Sequence, residues 1–286
     1  MLKYGHMEEA KNYGLIPREL NASDWVLGGI SGLKRDILQA DRNWRTFLPP
    51  LEIQRTPEYD TMACVTFSAL NAIETIFFRK YGIRLNWSDR FTAKMSGTTI
   101  YGNNFFDVAQ SIAKLHGLSL EENWPFVDCK TFAAFYADVV DAVIQLAAKS
   151  LNEYVVQYEA VWDTTDSLFD ALQYAPIQVG VHAYGPLVDG VYQRTEERGN
   201  HAVLLFNAVE GEYWEIYDHY DNAFKKLAWN TRFWGAYAYD IAKKSEKPPM
   251  PSTYKFVENT RYFVNVRPGA TLFFFGGLLQ IGRAHV

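Results

Sequence analysis

The order of apolar patterns along the chain predicts an α+β protein, with helices in the first half and antiparallel strands in the second. Helical spacing of apolar residues occurs in four segments, at 61–79, 105–116, 131–150 and 166–174. After Pro176 the spacing changes to a period of two residues, which is typical of strands. This second pattern covers four segments, at 177–183, 202–209, 212–219 and 236–241.

The first 50 residues precede these patterns and show no periodicity of their own. Glycines and the Leu48-Pro49-Pro50 run interrupt them, so we expect an irregular N-terminal strap over 1–50. The helical half is then expected at 51–155, the strand half at 156–265 and a tail at 266–286. The last six residues, IGRAHV at 281–286, match what one reading frame of a common sequencing adapter would encode. We expect that they are not natural protein.

The first predicted helix, 61–79, is apolar on nearly every side. Phe67, Leu70 and Phe77 widen its apolar face, so the helix should be buried nearly all round. Asp60 or Thr61 is placed to cap its N-terminus.

Composition and charge exclude several classes of function. The net charge is −5, and the Lys and Arg residues are scattered without a basic stripe, so we expect no nucleic-acid partner. The N-terminus is polar and without an apolar stretch, so we expect no secretory leader. No segment approaches the roughly 20 apolar residues that span a bilayer, so a cytoplasmic or virion-associated protein is expected. The sequence does not indicate an oligomeric state.

Cys64 falls in the first turn of the predicted 61–79 helix. Free amide groups and the partial positive charge at a helix N-terminus stabilise a thiolate, which favours a nucleophilic role. A small buried apolar residue is the competing interpretation for an isolated cysteine.

Two residues of the strand half can complete a thiol-based site. His201 opens a predicted strand beside the Gly199-Asn200 turn, and Asp218 lies near the end of the next strand. A hairpin around Glu210-Gly211 brings Asp218 towards the imidazole, where a carboxylate can hold its tautomer. His219 is a rival, but its side chain should point away from that of Asp218. The spacing therefore predicts a nucleophile, a base and an orienting group.

Metal and cofactor sites are not indicated. Cys129 has no histidine or second cysteine near it in sequence, and the six histidines lack metal-ligand spacing. We expect neither a metal nor an organic cofactor.

The sequence over 50–242 resembles the papain-like cysteine peptidases. Four motifs carry this resemblance: Thr61-Met-Ala-Cys64-Val-Thr-Phe-Ser68 at the nucleophile helix, Tyr101-Gly-Asn-Asn104 at the cleft wall, His201-Ala202-Val203 at the base, and Asp218 two residues after Ile216. The resemblance implies a helical half with a central helix that carries the cysteine, an antiparallel sheet or barrel, and a cleft between them. The cleft candidates are Gly102, Asn103, Asn200 and Tyr220, and the resemblance implies that Tyr220 also shields the third residue.

The sequence departs from the family pattern at three points. The cysteine lacks the family's neighbouring cysteine and tryptophan, and Asp218 replaces an asparagine. The family's oxyanion glutamine lies six residues before the cysteine, where this chain has Glu58, which cannot donate a hydrogen bond when ionised. We expect that a longer loop over 55–59 lets Gln54 take that role beside the Cys64 amide.

The resemblance implies a cysteine peptidase that acts on peptides or proteins, of a divergent phage or environmental type. One alternative is an amidase or transpeptidase that acts on cell-wall peptides with the same trio. Another is an inactive member that serves in binding or as a virion part. Because the strap leads directly into the nucleophile loop, we also hypothesise that it covers the cleft as a built-in inhibitor.

Overall fold

A computed structural model describes residues 11–20, 24, 36–127, 129–244, 270–275 and 278–283. The residues up to 244 belong to one compact unit, and the last two segments belong to a second unit. In the second unit, β9 (Ala270–Phe275) pairs with β10 (Leu278–Arg283) as an antiparallel ladder. The predicted adapter sequence falls partly on β10 and partly, at 284–286, outside the described residues.

Helices come first in the larger unit. They are α1 (Cys64–Tyr81), α2 (Asp89–Met95), α3 (Phe105–Gln110), α4 (Phe132–Phe135), α5 (Asp141–Glu153) and α6 (Thr165–Ala171). A π-helical turn, Ser111–Leu115, extends α3, and Gly117 follows it with a positive φ of 76°. Short 3₁₀ turns lie at Arg45–Phe47 and Glu121–Asn123.

The strands of this unit form one eight-stranded sheet. They are β1 (Tyr154–Ala160), β2 (Ile177–Val181), β3 (Leu187–Val188), β4 (Val191–Tyr192), β5 (His201–Val209), β6 (Tyr213–Asp218), β7 (Ala223–Ala228) and β8 (Ala236–Lys243). Their order is β1-β8-β2-β5-β6-β7-β4-β3, and every pair is antiparallel except β4 with β7. The sheet is open, so the predicted α+β class is confirmed, whereas closure into a barrel is wrong.

The core lies between α1 and the middle of this sheet. All residues of α1 from Cys64 to Phe77 are buried, which confirms the prediction of a helix covered nearly all round. The helix packs against β5, β8 and β2, whose apolar residues form the same hydrophobic cluster. At its C-terminal end, Gly82 adopts a left-handed conformation and its amide closes on Phe78.

The single helix predicted over 131–150 is wrong, because the chain forms α4 and α5 with a break between them. Phe135 of α4 packs into a small cluster with Phe67 and Cys129, whereas Val143 of α5 packs with Phe91 in a different cluster. One straight helix cannot deliver these side chains to two separate clusters. The elements that were not predicted are α2, β1, β3, β4, β7, β9 and β10.

Candidate active site

Cys64 is the first residue of α1, and its side chain is completely buried. The predicted caps at Asp60 and Thr61 are wrong: the helix begins later, after Ala63, without a side-chain cap. Asp60 instead accepts a hydrogen bond from the Met62 amide at 2.8 Å, in a turn where Met62 has a left-handed φ of 58°. The nucleophile helix therefore starts from a tight loop.

A buried polar network fixes the first turn of α1 to the sheet. Gln178 of β2 donates to the Val65 carbonyl at 2.6 Å and to Ser68 Oγ at 2.8 Å. Ser68 in turn donates to the Cys64 carbonyl at 2.7 Å, and Tyr239 of β8 donates to Gln178 Oε1 at 2.8 Å. Buried, satisfied networks of this kind hold one geometry, so the position of Cys64 relative to the sheet is well determined.

His201 and Asp218 meet across the β5–β6 hairpin, as the spacing predicted. The strands are antiparallel around Gly211, with a bulge at Phe206, and His201 Nε2 lies 2.8 Å from Asp218 Oδ1. Both side chains are buried. The Nε2–H therefore donates to the carboxylate, and this leaves Nδ1 as an acceptor without a hydrogen-bond partner.

The Ala202 amide, next to His201 at the start of β5, interacts with the Cys64 sulfur and favours its thiolate. Cys64, at the start of α1, and His201, at the start of β5, thus lie at the same end of the contact between α1 and β5. His201 Nδ1 is buried without a hydrogen-bond partner, one residue before the amide that meets the thiol, and a proton transfer from the thiol needs a free acceptor of this kind.

Both carboxylate oxygens of Asp218 carry further hydrogen bonds. Oδ1 also accepts from the Tyr220 amide at 2.9 Å, and Oδ2 accepts from the Tyr184 hydroxyl at 2.8 Å and from Lys225 Nζ. Burial by itself would raise the pKa of Asp218, but the hydrogen bond and charge of His201, followed by Lys225, hold that pKa well below its usual range.

Gln54 also reaches this site. Its side chain is buried, and Nε2 lies 3.3 Å from both the Tyr13 carbonyl and Asp60 Oδ1. The loop after it closes through a bridge between Arg55 and Asp60, which leaves Glu58 exposed to solvent. The position that holds glutamine in the family is therefore exposed, whereas the Gln54 side chain is buried between Tyr13 and Asp60.

Residues 11–18, hereafter the covering segment, cross the site. The Tyr13 ring lies against the His201 imidazole with 5.1 Å between centroids, and its amide donates to the Asn200 carbonyl at 2.9 Å. Tyr220 meets the same Tyr13 ring edge-on at 4.7 Å. The side-chain amide of Asn200 adds a hydrogen bond to the Lys11 carbonyl at 2.8 Å.

The covering segment continues along Gly102 and Asn103, the other two predicted cleft residues. The Asn103 amide donates to the Gly14 carbonyl at 2.9 Å, and its carbonyl accepts from the Ile16 amide at 2.8 Å. The approach is close: a Cβ on Gly102 would lie 1.8 Å from the Gly14 carbonyl oxygen. All four predicted cleft residues therefore lie along one path, and the covering segment fills that path.

Burial raises the pKa of the Cys64 thiol well above its ordinary value. This direction is opposite to the one expected from a helix N-terminus. The Ala202 and Val65 amides do lower the pKa, but the loss of solvent has the larger effect, and the charges of Asp60 and Asp218 add to it. The complete burial of this side chain therefore favours the thiol form.

The other candidates have local roles. His219 is buried, and its Nε2 lies 2.7 Å from the Asn71 amide nitrogen; burial lowers its pKa to about 3. Cys129 packs in the cluster of Phe67 and Phe135 and forms no disulfide with Cys64. Among the described residues, no group of three or more acidic, histidine or cysteine side chains is placed to hold a metal ion.

Sequence reasoning missed three residues that contact the trio: Tyr13, Tyr184 and Lys225. The strap carries no periodic pattern that singles out Tyr13. A signal for Lys225 did exist, because a buried aspartate in place of an asparagine calls for a nearby positive charge.

Known proteins were compared with this chain by sequence and by fold. No family model matches the chain, and no curated protein matches it by sequence. Procathepsin L2 from the larval midgut of Tenebrio molitor superposes with a TM-score of 0.56 at 19% identity, over 80% of this chain and 78% of the other. The chain has the papain-like fold.

Two further papain-like structures are similar. Bromelain from Ananas comosus, in complex with the inhibitor E64, gives a TM-score of 0.53 at 18% identity, over 68% of this chain and 96% of bromelain. The proform of the ragweed pollen protease Amb a 11 gives 0.54 at 17% identity, over 79% of this chain and 64% of that chain. At these identities the likeness establishes the papain-like fold alone. Within the described residues, no helix has the length and apolarity to cross a membrane.

Proposed function

We propose that the chain is a cysteine peptidase in which Cys64 is the nucleophile, His201 the base and acid, and Asp218 the orienting group. The observation that carries this proposal is the His201 imidazole, bonded through Nε2 to Asp218 at 2.8 Å and left with an unpartnered Nδ1 at the Cys64 end of α1. The papain-like fold of solved proteases supports the same reading.

In the proposed reaction, His201 Nδ1 accepts the Cys64 proton and the thiolate attacks a peptide carbonyl. The carbonyl oxygen becomes an oxyanion, which receives hydrogen bonds from Gln54 Nε2 and the Cys64 amide. His201 then protonates the leaving amine, and the C–N bond breaks to leave an acyl-enzyme. Water attacks the acyl-enzyme, His201 takes its proton, and release of the acid restores the thiol.

The contacts of Tyr13 support the proposed role of Gln54. Its carbonyl receives the Gln54 hydrogen bond, while its ring covers His201. A peptide carbonyl can therefore occupy the position that the oxyanion proposal requires.

An inactive, binding protein is the second candidate, and one observation favours it. The covering segment and the deep burial of Cys64 stabilise the neutral thiol, as a site without catalytic use would. An amidase or transpeptidase acting on cell-wall peptides would use the same trio and differ in its substrate.

Substrate assays with three arms distinguish these functions: denatured protein, fluorogenic peptides and peptidoglycan fragments. The peptidase proposal expects release of peptides from the first two and loss of that release in Cys64→Ala. Cleavage of peptidoglycan fragments alone would favour the amidase. No cleavage in any arm, for a chain whose covering segment has been displaced, would contradict the proposal and favour the binding protein.

A further inference from the structure

Asp218 differs from the neutral asparagine of the family by one negative charge, and the structure places a positive charge against it. Lys225 lies on β7, next to β6 in the sheet, and its side chain is only 9% exposed. Its Nζ contacts Asp218 Oδ2 and also lies 2.5 Å from Asp221 Oδ2. A lysine is rarely buried to this extent unless it is paired.

Tyr184 completes the enclosure of that carboxylate. Its hydroxyl donates to Asp218 Oδ2 at 2.8 Å, and Lys225 Nζ lies 4.3 Å from its ring centroid. Burial and the neighbouring carboxylate raise the pKa of Tyr184 well above its usual value, so the phenol stays protonated and can donate. One oxygen of Asp218 thus serves His201, and the other is held by Tyr184 and Lys225.

We propose that Lys225 and Tyr184 are positioning residues for the candidate trio, with Lys225 offsetting part of the negative charge that Asp218 carries and the family's asparagine lacks. This inference rests on the proposed function for its catalytic meaning. The physical reason is that an unneutralised carboxylate stabilises the protonated imidazole more strongly than a neutral amide does, and the charge of Lys225 moderates this effect. The two residues also fix the rotamer of Asp218 that meets Nε2.

Other titratable groups surround this centre, and the test must hold them constant. They come from the covering segment, the nucleophile loop and α1, and the turn after β6: Tyr13, Asp60, Cys64, His219, Tyr220 and Asp221. None of them is altered in the variants below.

The test is the pH titration of His201 by NMR on the intact chain with labelled histidine, where the signals are assigned from His201→Ala. In Lys225→Met the midpoint of the imidazole titration should rise by about one pH unit or more, because the carboxylate has lost its counter-charge. Tyr184→Phe should shift it in the same direction by less. In Asp218→Asn the midpoint should fall, because a buried ammonium remains without its main partner.

The decisive variant is the double substitution Asp218→Asn with Lys225→Met, which should bring the midpoint back near that of the wild type. If Lys225→Met alone fails to fold, the titration midpoint of the double variant is compared with that of Asp218→Asn instead. Lys226→Met is the matched control: this lysine is next on β7, and its Nζ lies over the Tyr213 ring instead. We expect it to leave the titration unchanged.

A midpoint in Lys225→Met that matches the wild type, a shift of equal size in Lys226→Met, or a double variant no closer to the wild type than Asp218→Asn would each overturn the proposal. The titration does not need peptidase activity. If the variants titrate as expected but Cys64 is unreactive, the proposed function fails and the positioning role stands.

Discussion

Gln54 lies ten residues before Cys64, and its side-chain nitrogen approaches the Tyr13 carbonyl. Between Gln54 and Cys64 the chain forms a loop that is closed by the antiparallel bridge between Arg55 and Asp60. A side-chain amide that donates a hydrogen bond to the oxyanion, rather than to the ground-state carbonyl, accounts for a large part of an enzyme's rate enhancement.

Substituting Gln54 tests this role. Gln54→Ala should lower kcat on a cleaved fluorogenic peptide by about 100-fold to 1,000-fold, because the oxyanion loses one donor. KM should change little. Glu58→Gln is the matched control, since it installs glutamine at the family's spacing but at an exposed position. A rise in kcat for Glu58→Gln, or an unchanged kcat for Gln54→Ala, would show that Gln54 is not the donor.

Residue-level prediction from sequence succeeded where chain order constrains geometry. The hairpin spacing of His201 and Asp218 fixes their meeting, because two strands joined by a short turn must pair. The ionisation of Cys64 could not be read in this way. It depends on how completely the folded chain removes solvent from the thiol, which no local sequence pattern shows.

Among the elements, the covering segment has the most direct bearing on function. It pairs with the cleft wall at Asn103, its Tyr13 lies on His201, and Gly14 fits against the nucleophile loop. Gly14 has a φ of 109°, and a Cβ there would lie 2.2 Å from the Met62 carbonyl oxygen. These contacts support the hypothesis that the strap is a built-in inhibitor.

Gly14→Ala should therefore displace the covering segment. Iodoacetamide should then alkylate Cys64 at least ten-fold faster than in the wild type, as followed by mass spectrometry, because the new methyl group clashes with backbone. Gly97→Ala is the control: it has a positive φ of 79° but no atom within 4 Å of the added Cβ. If both variants, or neither, speed up alkylation, the covering segment does not control access.

Sequence patterns predicted the long elements and missed the short or charged ones. Strand β7 carries Lys225 and Lys226 in a six-residue segment, and its charge hides the period of two. Helix α2 has only seven residues. Such elements form because tertiary neighbours complete them, as β6 does for β7.

At the scale of the whole molecule, a group of buried and partly buried carboxyls links stability to pH. Glu52, Glu74, Asp89 and Glu121 interact with one another. Burial raises the pKa of Glu121 to about 7 and those of Glu74 and Asp89 well above their usual values. The folded chain therefore holds protons that the unfolded chain releases above about pH 4.5.

The sign of this linkage predicts a loss of stability as the pH rises. Between about pH 4.5 and 7, each proton that the folded state binds and the unfolded state does not lowers the free energy of unfolding by up to about 1.4 kcal/mol for each unit that the pH rises. Glu121→Gln should flatten this slope, since an amide needs no proton. Urea unfolding at pH 5, 6, 7 and 8 measures it.

Glu122→Gln is the control for that experiment, because Glu122 is exposed. The opposite contribution of buried His219, which favours higher pH, is the same in all three proteins and cancels in the comparison. Equal slopes for Glu121→Gln and the wild type would show that Glu121 is ionised in the folded state.

The most direct test of the account is the rate of iodoacetamide alkylation at Cys64 between pH 4 and 9, with Cys129 as the internal reference. We predict that in Gly14→Ala the Cys64 rate reaches half its maximum well below the reference thiol pKa of about 8.5. Adding His201→Ala should remove this reactivity at low pH. If Cys64 in Gly14→Ala reacts no faster than Cys129 below pH 7, and His201→Ala changes nothing, Cys64 and His201 do not form a catalytic pair.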